Sequence, residues 1–228
     1  MKQTVSIFFD TNIAQSYIEK NVYLSKIGIP AQYYELISFL TDNRLEEYVE
    51  ICFPEVVIRE MKAHMKECFH SCSTKFIESI CDYKELYGDL LSIELQIKVP
   101  ADEYPKYVDN LFEEFLNNPR NRCKAVPYPS DEGLVDILLT KAINGIRPFF
   151  VGGINGKKHS DAGFKDSLIA ETIYDYCKKN GTIGMLLSGD GDFGTAFEKR
   201  LHEGSSFVLV HSIDEAIKAL ANYFGTDP

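Results

Sequence analysis

The chain has 228 residues, a length that suits one large α/β domain or one domain with a sizeable insertion. Hydrophobic residues make up 45% of it and charged residues 25%, a balance that excludes an intrinsically disordered chain. The net charge of −10 excludes a generally basic nucleic-acid-binding surface, but it leaves open a local basic patch beside an acidic metal pocket.

The first predicted element is a buried strand over residues 4–9, because this segment is short, apolar and rich in β-branched and aromatic residues. It ends in the turn Asp10-Thr11-Asn12, whose residues are good helix N-caps. Asp10 therefore follows the carboxyl end of a strand, where open α/β sheets bind their ligands. Three further elements are predicted: a helix over 31–42, a strand over 48–53, and a helix that begins at Pro54 and continues into the 70s or 80s.

The middle of the chain, from about residue 65 to 145, is predicted to be a helical insertion or cap. Its composition is mostly helical, with breaks expected at Val99-Pro100, Pro105, Pro119 and the turn Pro127-Tyr128-Pro129. We expect one domain over residues 1–228 that contains this insertion.

From residue 146 onward, strands and helices alternate, which predicts a parallel sheet covered by helices. Helix 166–179 is expected to end at Asn180-Gly181. The other predicted elements are a short strand over 147–151, a Gly- and Lys-rich loop over 152–163, strands over 183–187 and 207–210, and helices over 190–202 and 213–223.

No run of about 20 apolar residues occurs, and the N-terminal segment lacks the features of a signal peptide. We therefore expect a cytoplasmic protein without a membrane partner. The six cysteines are expected to be free thiols, and no C-x-x-C pair indicates a zinc ribbon.

Several acidic residues are predicted to meet at one edge of the sheet. Asp10, Asp190 and Asp192 follow strands, and Asp166 opens a helix. Glu60 lies one or two turns into the helix after the second strand, and we expect it at the rim of the same pocket. Crowded carboxylates repel one another, and a hard divalent cation such as Mg²⁺ relieves that repulsion.

Four segments, IFFDTNI, VVIREM, GFKDSLIAETI and LLSGDGDF, resemble the signature segments of PIN-domain nucleases and occur in that family's order. The resemblance covers residues 1–64 and 146–212, and it is closest to the larger members with a helical insertion. It implies an α/β/α sandwich with a central parallel sheet. It also implies a metal-dependent nuclease, most often an endoribonuclease, that acts on single-stranded nucleic acid and leaves a 5′-phosphate and a 3′-hydroxyl.

The resemblance assigns roles to individual residues. Asp10, Glu60, Asp166 and Asp190 match the catalytic quartet that holds Mg²⁺ or Mn²⁺, and Asp192 matches a secondary, more variable metal position. Thr11, Asn12 and Ser188 match supporting residues. One or two cations would activate a water and neutralise the phosphate, so no covalent nucleophile is needed.

Basic residues near Asp166 are the predicted phosphate contacts. Lys157, Lys158 and Lys165 flank it closely and are expected at the rim of the site. More distant candidates are Lys62, Arg120, Arg122, Lys124 and Arg147.

Other interpretations stay open at this point. Each acid could simply cap a helix or face solvent. His64, Cys68 and Cys72 share one helical face, which suits a soft-metal site or, more simply, a buried face with small thiols.

The alternative enzyme class is a haloacid-dehalogenase-like phosphohydrolase, although the turn after the first strand lacks that class's second Asp. A non-catalytic binding protein on a PIN scaffold is the other alternative. Many PIN relatives are toxins or defence effectors, so the resemblance leaves room for an antitoxin or regulatory protein and for a homodimer.

Overall fold

A computed structural model provides the structure of this protein. It describes residues 2–18, 21–90, 92, 98–130, 133–144, 146, 163–189, 193 and 207–227. The strands are β1 (Val5–Phe9), β2 (Tyr17–Ile18), β3 (Asn21–Val22), β4 (Val49–Pro54), β5 (Cys123–Val126), β6 (Ile183–Leu187) and β7 (Phe207–Val210). The helices are α1 (Thr11–Ala14), α2 (Ala31–Asp42), α3 (Glu55–Tyr87), α4 (Tyr104–Asn117), α5 (Leu134–Ile143), α6 (Phe164–Asn180) and α7 (Ile213–Phe224).

Five of the strands form a parallel sheet in the order β5-β4-β1-β6-β7, while β2 and β3 form a small antiparallel ribbon. The first strand, β1, lies at the centre and pairs on one side with β4 and on the other with β6, so that Val5 is in register with both Val49 and Ile183. Every residue of β1 is buried, as its largely apolar sequence predicts for a central parallel strand. The parallel arrangement brings the carboxyl ends of β1 and β6 to one edge.

Helices cover both faces of the sheet, and neighbouring residues of β1 show this directly. The ring of Phe8 packs edge-on against Tyr176 of α6, with the ring centroids 5.6 Å apart. The ring of Phe9 points to the other face and packs against Tyr33 of α2, with the centroids 5.5 Å apart. Consecutive strand residues alternate between faces, so these contacts confirm the predicted α/β/α sandwich.

The middle of the chain differs from the prediction in two ways. It contains α4 and α5, but Cys123–Val126 forms an edge strand that pairs in parallel with β4. This strand was missed because Cys, Lys and Ala carry little intrinsic strand preference, and pairing with β4 decides its conformation. Pro105 was expected to break the chain, yet it lies in the first turn of α4, where a proline needs no hydrogen-bond partner for its nitrogen.

Helix α3 continues for 33 residues, as predicted, but only its first half contributes to the core. Val57, Met61 and Met65 are buried, and Phe69 stacks on Tyr104 of α4 with the ring centroids 3.8 Å apart. Beyond Phe69 the described residues of α3 are mostly exposed. The distal half therefore depends mainly on its own backbone hydrogen bonds.

The predictions after residue 163 are confirmed wherever the structure describes the chain. Strands 183–187 and 207–210 have the expected bounds, and α6 ends at Gly181, which adopts the left-handed conformation of a helix C-cap. The predicted strand 147–151, most of the loop 152–163 and all of the predicted helix 190–202 except Phe193 lie outside the described residues. None of the helices in the described part combines the length and apolar character that a bilayer-spanning segment needs.

Candidate functional site

Asp10 lies at the carboxyl end of the central strand and is 6% exposed. It is the N-cap of α1, where its Oδ1 accepts a hydrogen bond from the Thr11 backbone nitrogen at 2.7 Å. Its Oδ2 accepts a hydrogen bond from the Ser188 hydroxyl at 2.6 Å. The backbone nitrogen of Asp10 continues the sheet by donating to the Leu187 carbonyl at 3.0 Å. The carboxylate is therefore fixed between the ends of β1 and β6.

Glu60 comes to the same place from the second turn of α3. The Thr11 hydroxyl donates a hydrogen bond to Glu60 Oε2 at 2.6 Å, which joins α3 to the turn that follows Asp10. The ammonium of Lys165 contacts the other oxygen, Oε1. The Glu60 side chain is only 16% exposed, so both oxygens are held in a largely dry environment. The structure thus places Glu60 at the predicted site.

Asp166 lies in the first turn of α6, where a negative charge is favoured by the helix dipole, and it is partly exposed. Its neighbour Lys165 contacts Glu60, so the start of α6 lies at the same edge of the sheet as Asp10 and Glu60. Gly163 precedes the helix in the left-handed conformation, with φ of 83°, which glycine adopts readily. This turn directs the first residues of α6 toward the site.

The segment after β6 closes the site from the side of Ser188. The Gly189 backbone nitrogen donates to Asn12 Oδ1 at 3.1 Å, so the turn after β1 also fixes the loop after β6. Thr11, Asn12 and Ser188 thus form hydrogen bonds at this edge of the sheet, and their supporting role in a site stays a prediction. Asp190 and Asp192, which follow directly, lie outside the described residues.

The donors gathered here suit a hard divalent cation. They are carboxylate oxygens, supported by hydroxyl groups, and such ligands favour Mg²⁺ or Mn²⁺ over softer metals. An ammonium already contacts Glu60, which shows that this position holds positive charge. Among the described residues, no three or more His, Cys, Asp and Glu side chains are arranged to hold a metal ion.

Two histidines near the site were not predicted. His64 Nδ1 lies 2.8 Å from Gln15 Oε1, and its Nε2 lies 3.9 Å from Glu60 Oε1. His211 Nδ1 lies 2.9 Å from the Ser188 carbonyl oxygen. The spacing of four residues between Glu60 and His64 could have revealed the first, and the position of His211 directly after β7 could have revealed the second.

The basic residues separate into two groups. Lys165 reaches the site, whereas Lys157 and Lys158 lie outside the described residues. Lys62 pairs instead with Asp109 at 2.8 Å. Arg122 directly precedes β5, and Lys124 lies within it, in register with Cys52 of β4 and therefore level with Phe8 of β1. Both were predicted as more distant phosphate contacts, and in the structure they pair with acidic residues, Glu46 and Glu50.

Lys124 takes part in a polar network on the face of the sheet that α6 covers. It pairs with Glu50 at 3.0 Å, and the Tyr176 hydroxyl donates to the same carboxylate at 2.7 Å. Burial alone would raise the pKa of Glu50, but the hydrogen bonds from Tyr176 and Lys124 outweigh it and lower that pKa. The network fixes α6 against β4 and β5.

The thiols show no sign of a catalytic cysteine or a soft-metal site. Burial raises the pKa of Cys52 to about 12 and that of Cys177 to about 11, so both stay protonated and poorly nucleophilic at neutral pH. Cys68 and Cys72 lie with their sulfurs 3.6 Å apart, and both thiols donate to Asn21 Oδ1. The interpretation of this face as small packed thiols agrees with these contacts.

A parallel sheet that brings two carboxylates and a lysine to its carboxyl edge defines an α/β protein with an acidic site at that edge. A family model described as PIN domain matches residues 7–193, well over half of the chain, and the chain belongs to the PIN-domain family. This match runs through the middle of the chain, which the sequence resemblance had left unmatched. No curated protein and no solved structure matches the chain.

Family membership carries a general expectation about activity. PIN domains are generally nucleases and typically use divalent metal ions, although some are non-catalytic. The family assignment sets aside the haloacid-dehalogenase alternative. The turn Asp10-Thr11-Asn12 agrees with this, because it lacks the second Asp of that enzyme class.

Proposed function

We propose that this protein is a metal-dependent nuclease that hydrolyses phosphodiester bonds of single-stranded nucleic acid, with RNA as its substrate. The observation that carries the proposal is the connection of Asp10 and Glu60 through Thr11, with Lys165 on Glu60. A structural cap explains one buried carboxylate, but it does not explain a second one brought from another helix to the same turn. Such an arrangement is what a cation site needs.

The residues that would hold Mg²⁺ or Mn²⁺ are Asp10, Glu60, Asp166 and Asp190, with Asp192 as a further ligand. A bound divalent cation supplies an acidified water and neutralises charge on the phosphate. The chain contributes preorganisation: Ser188 and the Thr11 backbone fix the two oxygens of Asp10, and the Thr11 hydroxyl fixes one oxygen of Glu60. These hydrogen bonds keep the carboxylates oriented before substrate binds.

The phosphate backbone of the substrate needs positive charge at the rim of this acidic site. Lys165 is the described residue that supplies it, and its side chain is 39% exposed. Lys157 and Lys158 are proposed as further contacts on the strength of their closeness to Asp166 in the sequence. Charge reversal at both positions should weaken binding and reduce its salt dependence.

The test is cleavage of labelled single-stranded RNA and DNA with Mn²⁺, Mg²⁺ or EDTA. Wild type should cleave RNA only with a divalent cation, and Asp10→Asn and Glu60→Gln should lower the rate by at least about a hundredfold. Glu67→Gln is the matched control, because Glu67 is an exposed acid on α3 beyond the described contacts of the site. A folded protein that cleaves neither substrate with any cation would instead support the non-catalytic alternative.

A toxin or defence role, with an antitoxin or regulatory partner, extends this proposal. Expression should then arrest growth, and Asp10→Asn should abolish the arrest. Arrest that persists in this variant would separate toxicity from the acidic site. A second copy of the chain is the other proposed partner, and light scattering of the purified protein would test it.

A further inference from the structure

The contact between Lys165 and Glu60 places a positive side chain where a metal ligand should be free. Lys165 contacts Glu60 Oε1, while the Thr11 hydroxyl holds Oε2. The protein without a cation therefore already neutralises Glu60 with its own ammonium. His64 Nε2, 3.9 Å from the same Oε1, borders this contact.

A divalent cation and the Lys165 ammonium cannot share Glu60 Oε1. Like charges a few ångströms apart repel strongly in a partly buried site, and Glu60 is only 16% exposed. Binding of the cation to Glu60 must therefore displace Lys165. The ammonium then leaves Oε1, and the lysine is 39% exposed at the rim of the site, so it can reach solvent.

We propose that Lys165 is an exchangeable counterion that binds Glu60 in the absence of metal and moves to a substrate phosphate when a divalent cation takes Glu60. This inference rests on the proposed nuclease function and deepens it, because it couples cation binding to nucleic-acid binding. A lysine suits the role, since its charge is compact and its four-carbon side chain is flexible, whereas an arginine would favour a fixed bidentate pair. The first turn of α6 supplies the pivot, next to Asp166.

The coupling can be measured without any cleavage. A fluorescent 2′-O-methyl oligoribonucleotide, which lacks the free 2′-hydroxyl, serves as the probe, and its binding is followed by anisotropy in EDTA. Glu60→Gln should tighten binding by roughly fivefold or more, because it removes the carboxylate that the Lys165 ammonium contacts, without any metal. The same change in a Lys165→Gln background should give a much smaller gain, and this second comparison subtracts the simple effect of removing one negative charge.

Calorimetric titration with Mn²⁺ in the absence of nucleic acid provides a second readout. Lys165→Gln should bind Mn²⁺ several-fold more tightly than wild type, because the competing ammonium is gone. Lys106→Gln is the matched control: it removes the same charge from the exposed surface of α4, and should leave both affinities near wild type. Circular dichroism and urea denaturation verify that each variant is folded.

The outcomes distinguish this inference from the proposed function. Weaker Mn²⁺ binding in Lys165→Gln, or equal gains from Glu60→Gln in both backgrounds, would overturn the exchange, because Lys165 would then only position Glu60. Asp10→Asn leaves the Lys165–Glu60 contact in place, so it tests the site alone. Unchanged Mn²⁺ binding in Asp10→Asn would overturn the metal site itself, and the exchange with it.

Discussion

The hydrogen bond between Ser188 and Asp10 should contribute measurably to stability, because it joins two buried groups of which one is charged. Ser188 is fully buried, Asp10 is 6% exposed, and the two oxygens lie 2.6 Å apart. A hydrogen bond to a charged group contributes about 1.5–3 kcal/mol, against about 0.5–1.5 kcal/mol for a neutral one. Ser188→Ala should therefore lower the free energy of unfolding by about 1.5–3 kcal/mol.

The negative charge of Asp10 accounts for part of the stability lost in Ser188→Ala, and a double-mutant cycle separates this part from the rest. In an Asp10→Asn background the same serine substitution should cost only about 0.5–1.5 kcal/mol, which leaves a coupling of about 1–1.5 kcal/mol between the two residues. The measurement is urea denaturation in EDTA at pH 7, so that no cation contributes. Ser71→Ala is the control, because Ser71 is exposed on α3, and it should change stability by less than about 0.5 kcal/mol. Equal losses in both backgrounds would refute a charge-assisted bond to Asp10.

Three further predictions concern elements that support the site. Lys141→Met should lower the free energy of unfolding by about 3–5 kcal/mol, because it removes the ammonium that lies 2.5 Å from the carboxylate of buried Glu171. Glu171→Met should lower the free energy of unfolding by less, because the long side chain of Lys141 can reach water. Equal losses for the two variants would contradict this asymmetry. Tyr33→Phe should lower the free energy of unfolding by about 1–3 kcal/mol, because it removes a buried hydrogen bond to a backbone carbonyl. Tyr34→Phe is the control: its ring is exposed, and its stability should be within about 0.5 kcal/mol of wild type. Similar values for both variants would show that the Tyr33 hydroxyl is not hydrogen-bonded. Glu50→Gln should lower the free energy of unfolding by about 1 kcal/mol at pH 7, a value reduced by the partial exposure of Glu50. Because the pKa of Glu50 is lowered in the folded state, its contribution to stability is present above the unfolded pKa and is lost as pH falls through the folded pKa. The effect of the substitution should therefore fade below about pH 4 in urea denaturation at several pH values, and an effect that persists at low pH would contradict this prediction.

The sequence predicted the fold well where one element carries its own pattern. Helix α2 and strands β6 and β7 have the expected bounds because the apolar pattern of each segment acts locally. The end of α6 was predicted for the same reason, since Gly181 directly follows it as its C-cap. Strand β5 was missed because Cys123–Val126 becomes a strand only by pairing with β4, more than sixty residues earlier in the chain. The strand propensity of a short segment does not reveal a pairing strand that lies far away in the sequence.

The candidate site shows the same division. The positions of Asp10 and Glu60 followed from strand ends, helical spacing and family order, since these depend on the fold. The contact between Lys165 and Glu60 could not be predicted from the sequence. It joins side chains that are 105 residues apart, and they meet only because of how two helices pack. Sequence reasoning placed Lys165 at the rim of the site, but it could not show which anion the lysine holds.

The central position of β1 has a consequence for biosynthesis. The strand that carries Asp10 is synthesised well before its partner β6, which begins at residue 183. Long-range pairing of this kind forms late, because the chain between the strands must exist before its ends can meet. A ribosome that has not yet made β6 therefore holds an incomplete sheet, in which Ser188 cannot yet fix Asp10. The proposed nuclease would stay inactive beside the single-stranded message that encodes it until β6 and Ser188 have emerged.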